Sequence, residues 1–327
     1  CSPDWVGDFK QSISFSAVSI LLSITATFGN SLILIALHKE SCLHPPSKLL
    51  YRCLATTDLL VGLVCQPLYV IYRISLVHEH WSLCRYANYA DSITSYTLCG
   101  VSLVTTAAIS VDRLLAMLLG LRYKEIVTLR RTFIILAIVW VTCLVNGLFV
   151  LLNYSITFWC SLIGIPFCLL ISIAAYTKIF RALRHHQAQI QDHAQQQPSH
   201  LNAMNMARYR KAVYSALWVQ LALVVCYIPL ITLRIVISST KQSPNLLIFL
   251  RIAIILAYFN STLNPLLYCW KMIHILLSLM AFLGNFLILI AFHKVSSLHP
   301  PSKLLYRCLE TTDLLVSIVS QPLIAPY

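Results

Sequence analysis

Between Asp91 and Asp112 the chain runs for twenty residues without a charge, and the run closes on Ser110-Val111-Asp112-Arg113-Leu114. As a helix rising about 1.5 Å per residue, such a stretch crosses the ~30 Å hydrocarbon core of a bilayer. An acid and an arginine side by side where a helix leaves lipid are costly, and they mark a functional position rather than one more basic membrane edge.

The rest of the chain repeats the pattern. Further apolar runs at 13–37, 48–72, 132–152, 157–180, 212–237 and 246–270 join the one at 86–118 to make seven predicted spans. With 58% hydrophobic and 11% charged residues and a mean hydropathy of +0.77, the chain lies far from soluble composition, in which about a quarter of residues are charged. The net charge of +13 does not point to nucleic acid, because the basic residues sit in loops between apolar runs rather than on one soluble face. They orient the chain instead. His38, Lys39, Lys48 and Arg52, then Arg113, Arg122, Lys124, Arg130 and Arg131, then Lys178, Arg181, Arg184, Arg208, Arg210 and Lys211 flank alternate loops. The excess of basic residues predicts that these loops are cytoplasmic and the amino terminus extracellular. Of twelve cysteines, Cys53, Cys65, Cys99, Cys143, Cys168 and Cys226 lie inside apolar runs, where thiols act as small packing groups.

The one long polar connection, 184–207, is rich in Gln and His and closed by Pro198. No ligand spacing recurs in it, so it reads as a mobile cytoplasmic loop rather than a metal tract. Two further apolar runs follow, at 273–292 and 304–327. Residues 274–327 repeat 19–72 at a constant offset of 255, with Leu43–Leu54 recurring unchanged as Leu298–Leu309. Were these to continue the weave, His293, Lys294, His299, Lys303 and Arg307 would fall outside, against the charge rule that the first copy obeys. We expect two domains: 1–272, a complete seven-span bundle, and 273–327, the truncated opening of a second copy. The expected fold class is an all-α membrane protein, a seven-transmembrane helix bundle with two additional C-terminal hydrophobic helices.

One motif per span carries a resemblance. Gly29-Asn30, Leu54-Ala55-Thr56-Thr57-Asp58-Leu59-Leu60, Asp112-Arg113-Leu114, Trp140, Pro166 with Tyr176, Cys226-Tyr227-Ile228-Pro229 and Asn260-Ser261-Thr262-Leu263-Asn264-Pro265-Leu266-Leu267-Tyr268 stand in order. Taken together, residues 13–270 resemble a rhodopsin-like (class A) G-protein-coupled receptor. The resemblance implies a plasma-membrane receptor with no enzymatic chemistry, partnered by a heterotrimeric G protein, an extracellular ligand and the lipid bilayer. The other classes are a nine-span transporter or channel, and a non-signalling product of fused tandem genes.

A carboxylate in mid-span needs partners. For Asp58 these are expected among Asn30, Ser102, Asn260, Ser261 and Asn264, as a plain interhelical network or, as the resemblance implies, around a Na+ ion. The resemblance also implies a switch in which Asp112 holds Arg113 at rest, with Tyr176 and Tyr268 supporting the active arrangement. Ala207–Lys211 offers no carboxylate as a second clamp, so raised basal signalling is expected. Prolines 166, 229 and 265 predict kinks. Leu114 replaces the family's usual tyrosine, and the ten-residue separation of Pro166 from Tyr176 leaves the register of the fifth span open.

The ligand pocket is expected at Tyr69, Ser95, Tyr96, Cys99, Arg234, Arg251 and Tyr258, with Tyr227 as its floor. Ser95 stands where amine receptors carry an aspartate, and Asp91 lies a turn further out, which argues against a small protonated amine. Arg73, Arg234 and Arg251 at the mouth suit a carboxylate, a phosphate or an acidic peptide, or else anchor the chain at the interface. The resemblance implies a disulfide from the outer end of span three. Cys1, Cys84 and Cys160 are the external candidates, and Cys84–Cys160 is ranked first. The second outer loop, read as Asn153–Trp159, is as short as in melanocortin-like and adenosine-like receptors, and Asn153-Tyr154-Ser155 in it is a glycosylation sequon.

Overall fold

The computed structural model describes residues 9–40, 43–194, 221–239 and 244–268. Within them seven helices are long and apolar enough to cross a membrane: Gln11–Lys39, Pro45–Val77, Trp81–Leu119, Leu129–Leu152, Tyr154–Ala182, Leu221–Ser239 and Leu246–Pro265. We call these the first to seventh spans. The expected eighth and ninth helices, at 273–292 and 304–327, lie outside the described residues.

Burial is inverted relative to a soluble protein. Asn30, Thr57, Asp58, Gln66, Thr105 and Ser110 are wholly buried, while Phe133, Ile138, Ile163, Phe167 and Leu170 are at least 60% exposed. Lipid takes the apolar faces. Between the helices, small and polar side chains pack and hydrogen-bond, because a polar group facing hydrocarbon has no partner. The long third span is the hub, touching the second, fourth and fifth. One apolar layer joins Val61, Cys65, Tyr69, Leu98 and Tyr258, with Trp140 against it; another joins Leu50, Leu54, Ile109 and Leu136.

Two glycines set the closest approaches. A Cβ on Gly62 would stand 2.8 Å from Thr27 Oγ1 and 3.0 Å from the Ser23 carbonyl oxygen, and one on Gly147 would stand 2.8 Å from the Ile93 carbonyl oxygen and collide with Thr97 Oγ1. Backbone that close cannot yield cheaply. Gly147→Ala is expected to cost ~1–3 kcal/mol by overpacking and to lower the melting temperature in detergent. Gly164→Ala, with nothing within 4 Å of the added carbon, should melt at or slightly above the parent. A Gly147→Ala protein melting with the parent would contradict this packing.

The helical geometry departs from the sequence reading in three places. Pro166, Pro229 and Pro265 lie inside continuous helices, where a kink needs no break. The second span carries an interruption that the sequence reading did not draw, for Val61–Cys65 forms a π turn just before Gln66-Pro67. A proline ring clashes with the carbonyl four residues back, and the wider turn accommodates it. The proposed outer loop Asn153–Trp159 shrinks to Asn153 alone, because the fifth-span helix already begins at Tyr154. Thr157 Oγ1 donates to the Asn146 carbonyl at 2.8 Å, which fastens this early start to the fourth span. At its other end the fifth-span helix continues to Ala194, so the first part of the polar connection is helical rather than loop. Its Ala, Gln, Leu and Arg are good helix formers, and no Gly or Pro intervenes before Pro198.

Candidate functional site

Three polar assemblies are strung along the third span. The first lies at its Asp91 end, around a cavity of about 370 Å³ between the third to seventh spans. Asp91, Ser95, Tyr96, Cys99, Tyr227, Arg234 and Tyr258 line it. The Ser95 and Tyr258 hydroxyls lie 2.7 Å apart and 3.1 and 3.0 Å from Asp91 Oδ1, so their two hydrogens are shared over three contacts. One helical turn puts residues four apart on the same face, so Asp91 reaches the hydroxyl of Ser95. Among the described residues, the single ion pair is the one between Arg113 and Asp112, so Asp91 has no cation beside it there. Across the cavity, Arg234 donates to Tyr154 Oη, and Tyr154 lies 3.3 Å from Tyr96 Oη.

Tyr69 and Arg251 do not line this cavity. Tyr69 is 3% exposed and packs edge-on against Tyr258, ring centroids 5.9 Å apart. Arg251 is 7% exposed and Arg73 only 2%, the latter donating to Ser12 Oγ at 2.6 Å. Of the expected trio of arginines, Arg234 stands in the cavity wall, whereas Arg73 and Arg251 lie outside it and close enough together to feel each other's charge.

The proposed Cys84–Cys160 bridge is not formed. Cys160 is an exposed free thiol, whereas Cys84 is disulfide-bonded to a cysteine outside the described residues. Asn153 is exposed, its Oδ1 accepting from the Ser155 backbone at 2.9 Å.

The second assembly surrounds Asp58, which is 0% exposed. Ser102 Oγ donates to Asp58 Oδ1 at 2.8 Å and Asn264 Nδ2 to Oδ2 at 2.5 Å, with Ser261 beside the carboxylate. Asn30 Nδ2 donates to the Ser261 carbonyl at 3.0 Å, and Asn30 Oδ1 is buried without a partner. Asn260 is buried as well, at 3% exposure. One full negative charge, several neutral oxygens and an orphaned carbonyl make a donor set that fits a hard monovalent cation.

The third assembly lies at the Arg113 end. Asp112, 4% exposed, accepts from Arg113 at 2.9 Å, from Ser47 Oγ at 2.9 Å and from Tyr123 Oη at 2.5 Å. Tyr123 belongs to a short helix, Tyr123–Ile126, that follows the third span. Its phenol is pushed up to about 12 by burial and by the Asp112 carboxylate, so it remains a donor through the whole physiological range. Arg113 also lies over the Tyr51 ring, 5.7 Å from its centroid. Tyr176 is buried and packs against Leu114 and Met117, which places the fifth-span residue beside the last turns of the third. Ser47 and Tyr123 were missed in the sequence. They are 65 and 11 residues from Asp112, with no motif joining them. The Tyr268 side chain and the Ala207–Lys211 stretch lie outside what is described.

Comparison with known proteins fits this arrangement. The family described as "7 transmembrane receptor (rhodopsin family)" matches residues 29–268, and the chain belongs to it. The chain is similar to melanocortin receptor 4 of Danio rerio, 26% identical over 81% of this chain and 82% of that one. It is also similar to the histamine H2 receptor of Cavia porcellus, 26% identical over 81% and 78%, and to adenosine receptor A3 of Ovis aries, 22% identical over 80% and 86%. The protein is therefore a multi-pass membrane receptor that passes a ligand signal to a G protein, and it is not an enzyme.

Proposed function

We propose that the receptor sits in the plasma membrane with its amino terminus outside and answers a small organic cation. The ligand would place its charge against Asp91, lay an apolar body along Cys99 and Tyr227, and turn a hydrogen-bond acceptor toward Arg234. The observation that carries this reading is Asp91 itself, a carboxylate in the cavity wall served by two neutral hydroxyls and by no cation among the described residues. A buried charge without a counter-charge is costly, and a cationic ligand removes that cost on binding. Sequence spacing alone had put Asp91 too far out for this role. Its carboxylate instead shares the Ser95 hydroxyl.

Binding would favour a state in which Arg113 leaves Asp112 and meets the G protein, with Tyr176 and Tyr268 supporting it. A panel of small amines, read by nucleotide exchange on a G protein, is expected to raise exchange through the native chain and not through Arg113→Ala. Response confined to anions, or an Arg113→Ala receptor exchanging as well as the parent, would refute the scheme.

Asp58, Ser102, Asn30, Ser261 and Asn264, with Asn260 adjoining, would hold Na+, whose charge offsets that of Asp58 and steadies the resting bundle. Replacing choline by sodium should raise the melting temperature of the native protein by a few degrees and leave Asp58→Asn unchanged; equal responses would exclude the ion. Residues 273–327 we read as the opening of a second receptor copy.

A further inference from the structure

We infer that the seam between the first and second spans holds a single chloride ion, seated on Arg73 and apart from the ligand cavity. Two hydrogen bonds fix how these helices lie. Arg73 donates to Ser12 Oγ at 2.6 Å, and Ser23 Oγ donates to the Gly62 carbonyl at 2.6 Å. The two bonds stand eleven residues apart on both helices, so the antiparallel register sets Ser16 level with Tyr69 and Ser19 level with Gln66. Ser12, Ser16 and Ser19, at steps of four and three, share one face of the first helix; Gln66, Tyr69 and Arg73, at steps of three and four, share one face of the second. All six are buried.

Five polar atoms on these two faces are buried without a hydrogen-bond partner: Arg73 Nε, Tyr69 Oη, Gln66 Nε2 and Oε1, and Ser19 Oγ. Protein interiors leave few such groups unserved, and a cluster of them calls for an ion or for water. Charge decides between the two. Arg73 makes no ion pair among the described residues, and the Asp91 carboxylate is bonded to Ser95 and Tyr258 rather than to it. Arg251 of the seventh span stands close enough for its charge to act on that of Arg73. Water would serve the donors and leave the arginine charge standing in a low-dielectric interior, whereas an anion offsets it.

The donor set suits a halide. Arg73 Nε and Tyr69 Oη bring an N–H and an O–H, and the Gln66 amide adds two more hydrogens. Ser19, level with that amide, can serve Gln66 Oε1 with its own hydroxyl while Nε2 turns to the ion. One arginine charge matches a monovalent ion. The helices close on each other a turn beyond Gln66, where a Cβ on Gly62 would stand 2.8 Å from Thr27 Oγ1. A carboxylate or phosphate would carry its skeleton into that contact, whereas a halide brings nothing but itself. Held there, it ties the first span to the second through Arg73, Tyr69 and Gln66.

Thermal melting of the full chain in detergent tests the site without agonist or G protein, so its outcome is separate from that of the signalling scheme. Sodium is held constant to leave Asp58 unaffected. Replacing gluconate by chloride is expected to raise the melting temperature of the native protein by about 2–4 °C in a saturable way, with bromide acting as chloride does. Arg73→Gln should lose the shift, and Arg73→Lys, which keeps the charge, should retain it. Arg234→Gln, which removes the cation of the ligand cavity, should retain it too. Tyr69→Phe takes away one donor and should raise the half-saturating chloride concentration about five-fold. Should Arg73→Gln fail to fold, Tyr69→Phe decides. No saturable shift in the native protein, an equal shift in Arg73→Gln, loss of the shift in Arg234→Gln, or an unchanged half-saturation in Tyr69→Phe overturns the site.

Discussion

Asp112→Asn is expected to raise ligand-free nucleotide exchange about ten-fold or more. In the resting arrangement the Asp112 carboxylate gathers the Arg113 guanidinium, the Ser47 hydroxyl and the Tyr123 phenol within 2.9 Å. Hydrogen bonds to a charged group are each worth ~1.5–3 kcal/mol. An amide keeps the shape but forfeits the charge, so the arginine is held by no more than a neutral contact. Losing ~1.4 kcal/mol from one of two states shifts their ratio ten-fold. Tyr123→Phe and Ser47→Ala each leave the Arg113–Asp112 ion pair itself in place and loosen it only by freeing the carboxylate from one support, so each should raise exchange less than Asp112→Asn does. Because the phenol of Tyr123 is held up near 12, its contribution should be flat between pH 6 and 9. Exchange measured with purified G protein and no ligand provides the readout. Asp112→Asn exchange at or below the parental level would mean that this carboxylate does not restrain the arginine.

The spans were legible because a bilayer demands about twenty apolar residues per crossing, and all seven described helices fall on the apolar runs to within a few residues at most ends. The sixth was drawn from 212 and is described only from Leu221. The neighbours of Asp58 could be anticipated for a related reason. Polar side chains at matched depth have few partners other than each other, and Ser102, Ser261 and Asn264 do meet that carboxylate.

What failed depended on rotation about a helix axis or on pairing between distant residues. Tyr69 and Arg251 were drawn in the pocket and do not line the cavity, Tyr69 packing behind Tyr258. Cys84 had a bonded partner, yet thiol positions do not encode connectivity. Tyr154–Trp159 read as loop, although its rings pack as the first turns of a helix, with Tyr154 and Phe158 centroids 6.4 Å apart. The π turn had a visible cue in Gln66-Pro67, a proline deep in an apolar run, which passed unused. The lock around Asp112 had none, since Ser47 and Tyr123 are ordinary residues until the second span and the short helix deliver them.

Asp91→Asn should separate affinity from stability in a way that an accessory residue would not. If the ligand's cation pairs with this carboxylate, its removal is expected to cost ~2–4 kcal/mol, about 10²-fold in potency for cationic ligands. Ligands without the charge should change by less than about three-fold, which is within ordinary variation for a lost neutral contact. The free receptor should respond in the opposite sense. A buried carboxylate with no counter-ion is a liability until the ligand arrives, and asparagine at 91 can still accept from Ser95 and Tyr258 without carrying the charge. Asp91→Asn should therefore melt at a higher temperature than the parent when ligand-free, and gain little when a cation is added. Tyr258→Phe takes away one donor to Asp91 and should weaken cation binding only a few-fold, since the charge survives. Cation potency unchanged in Asp91→Asn would remove the carboxylate from the ligand's path, whatever the melting temperature does. A drop in potency with no gain in ligand-free stability would make Asp91 a scaffold for Ser95 and Tyr258 rather than the ligand's counter-charge.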